Sequence, residues 1–155
     1  MPAHWPGLLA KTRLLVAALW AGSLWAVGYL VAPTLFATLS DRVLAGSIAG
    51  SMFHAMAMLS LGCALAMVLL LWRATPDWTP ARRRTVLALI AAMALCTVAS
   101  HFGLQPMMAE LKAAAGPGGV MESTAKGRFG LLHGISSVIY LVQSVLAGWL
   151  VVKQV

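Results

Sequence analysis

The sequence predicts an all-α membrane fold, an up-down-up-down bundle of four transmembrane helices. Three observations predict it. Four apolar runs recur along the 155 residues, each long enough to cross a hydrocarbon core of about 30 Å at about 1.5 Å per residue. The chain is only 10% charged, where soluble domains carry about 25%. The Lys and Arg residues behind its net charge of +7 fall between and beside the runs, so lipid and not nucleic acid is the expected partner.

The first span, about 14–34, follows Lys11 and Arg13 and ends near Pro33. It outruns the roughly 7–15-residue core of a cleaved signal peptide, so it is expected to stay. Asp41 and Arg42 lie in the short connection to the second span, about 50–72. A Pro- and Arg-containing turn leads to the third, about 85–104, and the fourth covers about 131–152. Between the last two lies an outer loop, 105–128, whose Gly-Pro-Gly-Gly at 116–119 breaks any helix. The whole of 1–155 reads as a single integral-membrane domain, and no internal repeat is evident. Cys63 and Cys96 sit inside apolar runs as small core residues, not as a disulfide framework.

Orientation follows from the cations. With both termini in the cytoplasm, the inner segments hold Lys11, Arg13, Arg73, Arg82, Arg83, Arg84 and Lys153, against Arg42, Lys112, Lys126 and Arg128 outside. That bias predicts a multi-pass protein of a bacterial inner membrane with both termini cytoplasmic. Trp5, Trp72, Trp78 and Trp149 fall at the same inner interface, where indole rings settle. Gly22, Gly46, Gly50, Gly62, Gly130 and Gly134 are expected to serve close contacts between helices.

Polar groups inside the spans mark the candidate site, since lipid cannot satisfy them. His133, Ser137, Tyr140 and Ser144 recur at helical spacing on the fourth span, and Thr97, His101 and Gln105 on the third. Counted from the inner ends, His54, His101 and His133 lie within about one helical turn of each other in the outer half, and Tyr29 is close to that level. Met58, four residues after His54, shares its face, whereas Met56 need not. Imidazole and thioether together suit a soft ion of the copper type. Asp and Glu occur only in connections, which removes the parts for a carboxylate relay, and no hydrolase constellation or phosphate loop is present, so enzymatic hydrolysis is not expected.

GSLWAVGYLVAPTLFATL (Gly22–Leu39), AGSIAGSMF (Ala45–Phe53) and RFGLLHGISSVIYLV (Arg128–Val142) resemble the transmembrane protein 205-like family of small four-span membrane proteins, domain of unknown function 4149. The Val-Ala-Pro-x-Leu-Phe end of the first span and the Leu-His-Gly-x-Ser start of the fourth are the more specific pieces. Ile139 and Tyr140, and Ser100 or His101, stand where the family pattern has Asn. The resemblance implies a four-span protein without a settled activity, one animal relative being associated with tolerance of platinum drugs, a soft-metal phenotype. Three functions follow as expectations. The first is binding of a copper-type ion by His54, His101, His133 and Met58, with Tyr29, Ser137, Tyr140 and Gln105 orienting them. The second is a haem b redox protein using two of the three histidines, with Arg42 and Arg128 for the propionates. The third is a ligand-free subunit of a homo-oligomer or membrane complex.

Overall fold

The computed structural model describes residues 5–73, 78–116 and 118–155; Asp77, Pro117 and the side chains of Trp5 and Arg73 lie outside this description. Four helices are long and apolar enough to cross a membrane: Gly7–Thr38, Arg42–Trp72, Pro80–Ala113 and Lys126–Val152. No strand occurs among the described residues. Each helix packs on its two neighbours in a four-cornered bundle, so the predicted all-α four-helix arrangement is the observed one. Asp41 caps the second helix, its Oδ1 accepting from the N–H groups of Val43 and Leu44 at 2.9 and 3.0 Å. Thr79 does the same for the third through Arg82 N–H at 3.2 Å.

The first and third spans run well past their expected ends because neither proline stops them. Ala26–Val31 and Ala99–Leu104 are π-helical, and α-helix resumes at Ala32–Thr38 and Gln105–Ala113. Proline has no N–H and crowds the carbonyl four residues back. A wider turn just upstream absorbs both problems, and the residue before each proline bonds five residues back, Ala32 to Val27 and Gln105 to Ser100. The segment 105–128 is therefore not wholly loop. Its first nine residues extend the third helix, and Val120–Glu122 forms a 3-10 turn. Gly116 and Gly119 do break the chain, at φ +73° and +78°.

The two π segments expose a repeat that the residue types conceal. From Ala26 to Ala99 is a displacement of 73 residues, and the same displacement carries Pro33 onto Pro106. It also carries buried Ala17, Trp20 and Leu24 onto buried Ile90, Met93 and Thr97. The molecule is thus two helical hairpins of like construction. They pack together along the half of the bundle that carries the termini, around Trp20, Leu24, Met67, Met93 and Leu150. Past the π segments the main packing is within each hairpin, Ala32–Thr38 on the second span and Gln105–Ala113 on the fourth, with Val43 beside Gly119 as a contact between the two.

At the termini end the hairpins are tied. Trp78 lies between two guanidinium groups, Arg13 at 4.7 Å and Arg82 at 4.4 Å from its ring centre. Arg82 also donates to the Lys153 carbonyl through Nε and Nη2, at 3.2 and 2.8 Å. Trp72 and Trp149 are exposed there.

Close helix contact rests on two glycines that composition did not single out. A Cβ on Gly28 would overlap the Tyr140 ring, and one on Gly148 would lie 3.3 Å from the Trp25 ring. Gly22, Gly46, Gly50, Gly62, Gly130 and Gly134 have open space beside them among the described residues, so the expected glycine rows are not the packing faces. Gly28→Ala should force Tyr140 from its seat and lower stability by about 1–3 kcal/mol. Gly134→Ala should leave it within about 0.5 kcal/mol. Thermal unfolding of the two variants in one detergent checks both.

Candidate functional site

A cavity of about 420 Å³ fills the space where the hairpins part, and all four spans line it. Its floor is set by polar pairs in an otherwise apolar core. Trp20 Nε1 donates to Ser60 Oγ at 3.0 Å, joining the first two spans. Gln143 Nε2 donates to Thr97 Oγ1 at 2.9 Å, joining the last two. Thr97 in turn donates to the Met93 carbonyl at 3.1 Å. With its single proton committed there, Thr97 can only accept from Gln143, which fixes the orientation of the carboxamide. The Gln143 oxygen and second N–H then remain for the cavity.

Tyr140 spans the gap between the hairpins. Its hydroxyl donates to the Leu24 carbonyl at 2.7 Å, and its ring meets Tyr29 and Phe53 edge-on at 6.2 and 5.4 Å between centroids. The bond to Leu24 satisfies a carbonyl just before the π turn, where the regular ladder is disturbed.

The sequence-derived residues mostly converge here. Tyr29, His101, Gln105, His133, Ser137 and Tyr140 all line the cavity. His54 does not, but its ring lies 4.9 Å from that of His101. His133 stacks on Phe129 at 6.1 Å instead of joining the other two. Met58 is 41% exposed and outside the lining, whereas buried Met56 and Met108 face the cavity. Arg42 is exposed and donates to the Phe36 carbonyl at 2.7 Å, and Arg128 is exposed. No three His, Cys, Asp or Glu side chains among the described residues group to hold a metal ion.

Three polar residues of the site are not marked out by the helical stripes: Ser60, Ser136 and Gln143. Gln143 was findable, being a carboxamide deep in a charge-free run and one turn from Tyr140 on the same face.

Four apolar helices around a mixed polar cavity define a small four-span membrane protein. The profile of the domain of unknown function DUF4149 matches residues 15–117, two-thirds of the chain, and the protein belongs to that family. The match takes in the first three spans and both prolines; the fourth span lies beyond it. No curated protein and no solved structure matches the chain.

Thr97→Val should remove the acceptor for Gln143 and cost about 0.6–2 kcal/mol, the range for hydrogen bonds between membrane helices. Thr97→Ser should restore most of it. Unfolding in detergent compares the two.

Proposed function

We propose that this protein binds a small uncharged molecule in the cavity between its hairpins. One observation carries the reading. The cavity, about 420 Å³, has the size of a small-molecule pocket and is lined from every span, yet among the described residues no Asp, Glu, Lys or Arg lines it. A charged ligand would lie in low dielectric without a partner. The cavity opens in the half of the bundle away from the termini. With Lys11, Arg82, Arg83, Arg84 and Lys153 at the termini end, the positive-inside bias supports termini in the cytoplasm and a cavity toward the outside.

A second reading is favoured by the contact between His54 and His101, 4.9 Å between centroids, and by the thioethers of Met56 and Met108 in the cavity that His101 also lines. A soft monovalent ion tolerates neutral nitrogen and sulfur ligands, and copper is the metal such a set selects. Haem between His54 and His101 is less well supported, because two rings in contact leave no room for a macrocycle between them.

Native mass spectrometry of protein taken directly from membrane vesicles tests the first reading. A small-molecule adduct on the wild type is expected, absent from Ala57→Phe, whose ring projects into the cavity from its lining. Identical spectra for the two overturn it. Titration with Cu(I) tests the second: His54→Ala and His101→Ala should each weaken binding by about tenfold or more while Met58→Ala leaves it unchanged. Binding that survives both histidine changes removes the ion site. Labelling of Lys126→Cys from the outer side of intact cells checks the orientation, and labelling from the cytoplasmic side alone reverses it.

A further inference from the structure

The two walls of the cavity differ in kind. The first hairpin presents Leu24, Pro33, Phe36, Phe53 and Met56, a wall of rings, thioether and aliphatic carbon to which Tyr29 adds one hydroxyl. Ser60 at its floor is already engaged by Trp20 at 3.0 Å. The second hairpin presents Ser100, His101, Gln105, Ser136 and Gln143. Several hydroxyls on these spans return to the carbonyl four residues back, as Ser137 does to His133 at 2.8 Å and Ser144 to Tyr140 at 2.9 Å. Those of Ser100 and Ser136 make no such bond, nor do the side chains of His101 and Gln105 hydrogen-bond within the described protein. Gln143 keeps a carbonyl oxygen and one N–H in reserve after its 2.9 Å bond to Thr97.

Unused donors and acceptors in a membrane interior are costly, so a row of them on one wall implies something that meets them. What meets them must also cover a ring-lined wall a few ångströms away and carry no net charge. Water satisfies the polar wall and not the ring-lined one. A phospholipid head group brings a phosphate that finds no cation in the lining. A flat ring satisfies both walls, with one face on Phe36 and Phe53 and oxygens along its edge toward the serines and carboxamides.

Building on the uncharged-ligand reading above, we propose that the ligand is an uncharged ring compound with carbonyl or hydroxyl oxygens along one edge, of the quinone or quinol class. Its ring packs on the first hairpin. Its oxygens bond to Ser100, Ser136, Gln105 and Gln143 on the second.

The test uses the full-length protein in nanodiscs and three probes: menadione, 2-methylnaphthalene, which has the ring without the oxygens, and 1,4-naphthoquinone-2-sulfonate, which adds a charge. Equilibrium dialysis should show saturable binding of menadione, weaker binding of 2-methylnaphthalene and none of the sulfonate. Ser136→Ala and Gln143→Leu should each weaken menadione by about three- to tenfold, one neutral hydrogen bond, and leave 2-methylnaphthalene unchanged. Ser136 has no protein partner to lose, so its variant carries the test even where Gln143→Leu fails to fold. Ala57→Phe should abolish both ring probes. Equal affinities for menadione and 2-methylnaphthalene, insensitive to Ser136→Ala and both abolished by Ala57→Phe, overturn the ligand class and leave the cavity reading standing. Loss of saturable binding for every probe on the wild type overturns both.

Discussion

Inside hydrocarbon every peptide group must find its partner within the protein, and each proline withdraws one donor. Pro33 and Pro106 impose that demand at matching heights of two helices, and the π turns before them are how the backbone meets it. The geometry of the site depends on this adjustment. An α-helix carries a residue about 40° out of line at each step of four. Leu24, Gly28, Ala32 and Phe36 nevertheless line one cavity, as do Thr97, His101 and Gln105. A wider turn takes fewer degrees per residue, so the drift is cancelled where the π segments lie. Two helices that needed relief at their prolines thereby gained straight, four-residue stripes facing each other across the bundle.

Much of the fold was legible because lipid leaves few choices. A charge-free run of about twenty residues has to be a helix, and lysine and arginine have to lie at its ends. The stripes were legible for the same reason, and Tyr29, His101, Gln105, Ser137 and Tyr140 do meet in one place. The helix ends were not. Proline was read as a stop, yet the π turn lets the helix pass through it, and the expected outer loop loses its first nine residues to the third span. The glycines misled for a different reason. Small size permits contact but does not say where a large ring will arrive, and only Gly28 and Gly148 receive one, from Tyr140 and Trp25. Met58 was preferred over Met56 by its angle to His54. His54 stands outside the lining, so angles measured from it do not point at the cavity.

The repeat is hidden in the sequence because its two copies share geometry and little identity. AVGYLVAP at 26–33 and ASHFGLQP at 99–106 agree at the first alanine and the final proline, with an aromatic residue fourth in each. Gly28 corresponds to His101 and Ala32 to Gln105, small residues in one copy and polar ones in the other. Both copies run in the same direction, as parallel repeats about an axis along the membrane normal do. The copies diverge in composition at the positions that face the cavity, and the difference between its walls follows from that divergence. In the first copy the space left by glycine admits Tyr140; in the second the same position supplies an imidazole.

The clasp of Arg13, Trp78 and Arg82 now acquires a mechanical meaning. Two helical arms packed together at one end, and meeting at the other through separate contacts such as His54 on His101 and Val43 beside Gly119, have the lever geometry of tweezers. A displacement of given angle is smallest at the joint and grows along the arm. A parting of the cavity walls would therefore be smallest at the clasp and largest at the tips, at Thr38 and Ala113, on the opposite face of the membrane.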